Sequence, residues 1–477
     1  MMRALAALTL MPALAAAQAE LDPANLSPPP PLEFDIPAVE RIELPNGMIL
    51  FFLEDHELPL VEVQTLTRTG SVYEPADKAG LASITATVMR TGGIEGMTGD
   101  ALDAELDFQA SAIEIGMGEE SCSASLSCLT ENLPRGLELL AAVLRTPQFA
   151  QEKIDLAINA ERESVRRAND DPMGIARREF RSLIYGRGNP WARVTTGATL
   201  DAITRDDLVA FHQRFFHPNS TMIAVAGDVS REALLALLDE HFGDWPQAEL
   251  DIPPLPEVPD SITPGIFFIH RPDVNQSNVR LGHFGVSRHD PDEYVIRVMN
   301  FLYGSSGFTS RLVREARTNR GLTYGISGQI TEHTVRGLYV VATFTKSETT
   351  REMIDVIRQV TRDFQASPPA EAELELAKTS EMNSFVFRFE TPISIASQRM
   401  NYEYHGYPAD YLETYLDNIR AVTAEDVQRV AQERMHVDQT AILVVGNADE
   451  IGDQLTQLGE VTEVPLVDFA TGEQIWP

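Results

Sequence analysis

Ala202-Ile-Thr-Arg-Asp-Asp-Leu208 and Met222-Ile-Ala-Val-Ala-Gly-Asp228 are met a second time, as Ala421-Val-Thr-Ala-Glu-Asp-Val427 and Ala441-Ile-Leu-Val-Val-Gly-Asn447. Both recurrences lie at one offset, 421 − 202 = 441 − 222 = 219 residues. In each first element a threonine, Thr204 or Thr423, stands where a helix N-cap belongs, and an aspartate follows three residues on. Each second element is an unbroken apolar run ending in glycine, the pattern of a buried strand. Chance likeness does not hold one register across a helix and a strand. The chain therefore reads as a duplicated α+β domain of about 200 residues.

Between the copies, Pro246 to Pro264 holds six prolines in nineteen residues, too many for a helix interior or a central strand. It is a linker (246–264) that divides an N-terminal domain, 39–245, from a C-terminal domain, 265–465, with a tail at 466–477. Arg41 to Leu44, a Pro45-Asn46-Gly47 turn and Met48 to Leu53 form a hairpin, since Asn-Gly supplies the positive φ that a tight turn requires. A further strand is expected from about Leu60 to Arg68. Leu133, Leu137, Leu140 and Leu144 mark a helix stopped by Pro147. Ser230 caps a second, with Leu234, Leu235, Leu238 and Phe242 on its buried face and Gly243 at its close.

The chain has 477 residues, more than one core of about 250–300 residues organises. Its net charge of −33 argues against nucleic acid or an anionic membrane surface as partner and suits a basic or extended peptide. Arg3, the apolar run Ala4 to Ala17 and the small residues Ala15 to Ala19 form a secretory signal over 1–19. That run is too short to span a bilayer, which takes roughly 20 residues. A proline-rich leader over 20–38, with Pro28 to Pro31, follows. The mature chain is expected to be exported, most simply to a periplasm, with no membrane anchor after cleavage. Cys122 and Cys128 fall in an alternating strand, where six residues span about 20 Å, so they are expected as two free thiols on one face rather than a disulfide.

Six landmarks, Leu44-Pro-Asn-Gly47, Leu58-Pro-Leu-Val61, Gly70-Ser-Val-Tyr-Glu-Pro75, Gly80-Leu-Ala82, Asn169-Asp-Asp-Pro172 and Arg320-Gly-Leu-Thr-Tyr324, together resemble the pitrilysin (insulinase) family of zinc peptidases. The likeness is to its smaller members, similar to mitochondrial processing peptidase, and covers nearly the whole mature chain. It implies two mixed-sheet-plus-helices domains forming half of a clamshell. In catalytic members Gly-Leu-Ala leads into His-x-x-Glu-His, whose imidazoles bind zinc and whose glutamate deprotonates the bound water. Here Ser83-Ile84-Thr85-Ala86-Thr87 stands in its place. Ser83 and Thr87 are poor zinc ligands and Ala86 accepts no proton. Glu163 remains as a possible remnant of the third ligand. No metal is expected in this chain.

The resemblance also implies a substrate-binding, oxyanion-stabilising pair seven residues apart, which Arg317 and Tyr324 fit; Arg320 is a neighbour at the wrong spacing. Without the family frame, Arg317 is a surface arginine and Tyr324 a core tyrosine. Ala112 to Gly118 resembles the strand whose edge pairs with substrate, or is simply an edge strand. Gly304-Ser-Ser-Gly-Phe-Thr-Ser310 resembles a family loop that contacts substrate, or is a connecting turn. His56, His270, His283 and His333 are isolated, and Ser305, Ser306 and Ser310 have no base or acid in evident partnership. The reading that follows is a non-catalytic subunit of a heterodimer. It supplies Arg317 and Tyr324 to a paralogous partner that carries zinc and cleaves peptide or unfolded polypeptide. A purely structural scaffold and a stand-alone peptidase with a different site are the alternatives.

Overall fold

Hairpin, strand and glycine signals resolve into two six-stranded mixed sheets of one design. In the computed structural model, which describes residues 36–469 and the backbone of 474–475, the first sheet comprises β1 (Glu40–Glu43), β2 (Ile49–Glu54), β3 (Leu60–Arg68), β4 (Ala112–Met117), β5 (Ser121–Leu129) and β6 (Thr221–Gly227). Its order is β1-β2-β6-β3-β5-β4. The second comprises β7 (Gly265–His270), β8 (Gln276–Phe284), β10 (Ile326–Ile330), β12 (Leu338–Lys346), β13 (Ala441–Gly446) and β14 (Val461–Glu463), ordered β10-β12-β8-β13-β7-β14. The short β9 (Val286–Ser287) and β11 (Glu332–His333) pair with each other. The signal segment 1–19 and the leader up to residue 35 lie outside the described residues.

The duplicated strands occupy the same slot. β6 runs parallel to β2 and antiparallel to β3, and β13 runs parallel to β7 and antiparallel to β8. Registers agree as well: Val225 faces Phe52 and Val63, while Val444 faces Phe268 and Val279. The duplicated caps form alike, Thr204 accepting from the Asp207 amide and Thr423 from the Asp426 amide. The copies part at one edge, where β1 is antiparallel to β2 but β14 is parallel to β7.

Helices α1 (Leu81–Thr91) and α2 (Gln151–Arg167) pack on each other in the first half. Two others, α3 (Pro172–Tyr185) and α4 (Pro392–Tyr404), are exchanged between the halves. Both open with proline at the first helical position after a capping residue, Asp171 or Thr391, and they start 392 − 172 = 220 residues apart. Ile175, Ala176, Phe180 and Ile184 of α3 join one core with Ile269, Phe284, Leu443 and Val445 of the second sheet. Ile393, Ala396 and Met400 of α4 join another with Phe51, Leu66, Met222, Ala224 and Ala226 of the first. Leu443 and Val445 stand 219 residues from Ala224 and Ala226, so each helix covers the equivalent patch of the other half's sheet. The described residues from Pro37 onward accordingly form one compact unit.

The proline-rich stretch contains no helix or strand and is tied down through its carbonyls. Pro256 accepts from the Trp191 indole at 2.8 Å, Glu257 from Asn189 at 2.8 Å and Asp260 from Arg336 at 3.1 Å. No helix among the described residues is long and apolar enough to cross a membrane.

Strand β5 alternates as its sequence suggests, with Cys122, Ala124, Leu126 and Cys128 buried on one face, and both cysteines are free thiols. Burial pushes Cys122 up to about 12 and Cys128 up to about 11, so little thiolate exists near neutrality. The native protein should therefore react slowly with alkylating reagents, and the unfolded, unreduced chain should yield two thiols. Recovery of none would mean a disulfide that β5 does not permit.

Candidate functional site

Helix α1 begins at Gly80, whose φ of +103° suits glycine, and its first amides are received by a side chain from upstream. The Glu74 carboxylate accepts from the Gly80 amide at 3.2 Å and from the Ala82 amide at 2.7 Å. The Gly70 to Pro75 landmark thus supplies the cap of the helix that carries Ser83, Ala86 and Thr87. Burial raises Glu74 to about 7, against the opposing pull of these amides and of Arg193. Because its folded pKa lies above the ordinary 4.5, the folded protein holds a proton that the unfolded chain releases first. Glu74 thus favours folding most below that ordinary value, and the contribution is lost as pH rises through about 7. Glu74→Gln keeps an acceptor and cannot ionise. It should flatten the fall in melting temperature between about pH 5 and pH 8; parallel wild-type and mutant curves would contradict this.

Along α1, Leu81, Ala82, Ile84, Ala86, Val88 and Met89 are buried, whereas Ser83 and Thr87 are exposed one turn apart. They occupy one face, as paired ligands would. Their chemistry differs from that of ligands. The Thr87 hydroxyl donates back to the Ser83 carbonyl at 3.0 Å, and the Ala86 methyl is buried. Glu163, exposed on α2, accepts from Arg166 at 2.8 Å. A methyl, two hydroxyls and one ion-paired carboxylate do not fit zinc. Among the described residues no group of three or more His, Cys, Asp or Glu side chains could hold a metal ion. The purified chain should contain well under one zinc per molecule, and stoichiometric, chelator-resistant zinc in elemental analysis would overturn that expectation.

A second cluster lies in the other half. Arg317 sits on a π-helical turn, Arg314–Asn319, a geometry frequent at functional positions. Its guanidinium lies between two rings, 4.5 Å from the Phe308 centroid and 4.4 Å from that of Tyr324. Both rings are largely exposed, Tyr324 at 75% and Phe308 at 67%. Tyr324 is therefore not a core residue. Stacking fixes a guanidinium while leaving its N–H edge free, and among the described residues Arg317 has no carboxylate partner. Arg320, by contrast, is paired with Glu315 at 2.7 Å. The loop Gly304 to Ser310 thus contributes Phe308, an aromatic lid that sequence reasoning did not assign; its sole signal was an aromatic residue in a glycine-containing loop.

No hydrogen bond, ion pair or ring contact joins Arg317 or Tyr324 to Ser83, Thr87 or Glu163 among the described residues. Strand β4, within Ala112 to Gly118, is the terminal strand of the first sheet, paired only with β5. Its second edge pairs with no strand among the described residues.

The family model described as "Peptidase M16 inactive domain" matches residues 202–381. A Helicobacter pylori protein named non-peptidase homolog YmxG is 22% identical over 402 residues, covering 83% of this chain and 91% of that one. A Mycobacterium tuberculosis protein named as an uncharacterized zinc protease is 26% identical over 347 residues, covering 68% and 77%. The crystal structure of a peptidase M16 inactive domain from Pseudomonas fluorescens superposes with a TM-score of 0.79, at 24% identity over 86% of this chain and 98% of that one. A Helicobacter pylori protease structure follows at 0.77, with 18% identity and 86% and 99% coverage; these two likenesses speak to the fold alone. With the duplicated sheets and the landmark residues in hand, the chain is similar to the peptidase M16 family, whose inactive-domain model matches residues 202–381, and it carries no His-x-x-Glu-His sequence.

Proposed function

We propose that this chain is the exported, non-catalytic subunit of a heterodimeric zinc peptidase. It lends Arg317 and Tyr324 to an active site whose zinc is held by a paralogous partner. The observation that carries this reading is the Phe308–Arg317–Tyr324 stack. An arginine without a carboxylate partner and an exposed phenol are presented side by side, on a chain whose own zinc positions hold hydroxyls and a methyl.

A guanidinium and a phenol both donate hydrogen bonds to a carbonyl or an oxyanion. Neither activates water. The two groups suit binding of an extended peptide backbone and stabilisation of charge developing on its scissile carbonyl, while the partner supplies the nucleophile. The name non-peptidase homolog, borne by one relative, accords with a chain that does not cleave peptides alone. A clamshell of two such chains would bring the stack across from the partner's metal, and the signal segment 1–19 would direct this chain to the periplasm.

The test is reconstitution of the chain with a zinc-bearing paralogue, followed by peptide cleavage assays on each chain alone and on the pair. Activity confined to the pair supports the proposal. An equally active partner without this chain would reduce it to a scaffold.

A further inference from the structure

Beside the stack lies a cavity of about 380 Å³, lined by Met173 and Ala176 of α3, Asn278 and Arg280 of β8, and Ser327 of β10 among others. Gly325, the residue after Tyr324, is part of its wall. Register explains the floor. Ser327, Ala342, Arg280 and Leu443 stand directly opposite one another on successive strands, so they share one face of the second sheet. Helix α3 packs on that face at Leu443, and its Met173 and Ala176 wall the cavity over the rest.

Two polar side chains left on this floor have no partner among the described residues. Asn278 is nine-tenths buried, yet its amide makes no hydrogen bond. Arg280, two positions along the same strand, makes neither hydrogen bond nor ion pair. Arg177, on the exposed side of α3, is likewise unpaired and near enough to repel it. The chain carries 71 acidic residues against 38 basic ones, so carboxylates to neutralise a guanidinium are abundant, and none is placed here. Both side chains face the open cavity, where an anion that displaced water would meet a partly desolvated cation beside an unpaired amide.

We propose that this cavity is a carboxylate pocket. In it Arg280 and Asn278 receive an acidic side chain, or the terminal carboxylate, of a peptide held at Arg317 and Tyr324. The inference rests on the substrate-binding reading given above for those two residues. The chemistry is direct. Arg280 offers two parallel N–H donors to a carboxylate, Asn278 adds a third, and the Ser327 hydroxyl lines the same cavity. The volume accommodates one side chain rather than a folded partner.

The test is fluorescence anisotropy with the full chain and three labelled extended peptides: one with an internal glutamate and an amidated end, its amidated glutamine analogue, and that analogue with a free C-terminus. At least one carboxylate peptide should bind about 10- to 100-fold more tightly than the amidated glutamine peptide, and which one identifies the source. Arg280→Gln should abolish the advantage while leaving the amidated glutamine peptide unaffected. Asn278→Asp, which sets a fixed carboxylate beside Arg280, should abolish it too and serves if Arg280→Gln does not fold. Equal affinities for all three peptides, or a preference that survives in Asn278→Asp, would overturn the pocket. Arg317→Ala separates the two readings: it should weaken all three peptides alike and preserve the preference. A preference with no effect of Arg317→Ala would leave the pocket standing and sink the substrate reading, and failure of every peptide to bind would overturn both.

Discussion

Tyr324→Phe is expected to lower turnover by the zinc-bearing partner about 10²–10³-fold, the usual consequence of removing one preorganised oxyanion donor. The substitution deletes a hydroxyl from a ring that is three-quarters exposed, so no packing is lost and the stack on Arg317 persists. Folding and association should therefore stay as they are, and the effect should fall on kcat. Arg317→Ala acts differently. It removes the guanidinium that Phe308 and Tyr324 hold, loosening both rings, and should raise KM as well as lower kcat. Peptide cleavage by the reconstituted pair, with association followed separately by gel filtration, distinguishes these patterns. Full activity from the double mutant in an intact complex would remove the stack from the mechanism.

Phe180→Ala is expected to give the largest loss of stability, about 3–5 kcal/mol, because it opens a cavity where α3 crosses onto the second sheet. Phe180 is fully buried in the core that it shares with Ile269, Phe284, Leu443 and Val445. The same helix supplies a control. Met173, half exposed near its start, should tolerate alanine within about 0.5 kcal/mol. Thermal unfolding of the two variants measures the difference, and equal melting temperatures would show that the exchanged helix does not hold the halves together.

Much of this fold is written locally. Thr204 and Thr423 announce their helices because a cap needs only a hydroxyl and an amide three residues away, and both form. Asn46-Gly47 announces its hairpin for the same reason: Gly47 adopts φ +82°. The alternation through Cys122 and Cys128 predicts a one-sided strand, and β5 is one. The exchange of α3 and α4 is not local. Periodicity says that Ile175, Phe180 and Ile184 share a face, and cannot say that the face belongs to a sheet whose first strand begins only at Gly265. Glu74 escaped notice because a carboxylate capping amides six and eight residues later has no short motif.

The candidate site divides in the same way. That Ser83, Ala86 and Thr87 are poor material for a zinc site is legible from residue type, while the resemblance alone sets them at the motif's positions. Placement of the Arg317 guanidinium depends on Phe308, nine residues earlier and brought back by a loop. That is a tertiary fact. Arg320, adjacent in sequence to the same turn, is spent on Glu315, which agrees with the spacing that set it apart from Arg317.

One measurement tests the central claim most directly: purification of the tagged chain from its native envelope fraction, with zinc content and peptide cleavage assayed on the eluate and on the chain alone. The account predicts a co-eluting polypeptide that carries His-x-x-Glu-His, about one zinc per pair, and cleavage abolished by chelator, with neither zinc nor cleavage in the isolated chain. Peptide cleavage by the isolated chain, or stoichiometric zinc bound to it, would contradict the account.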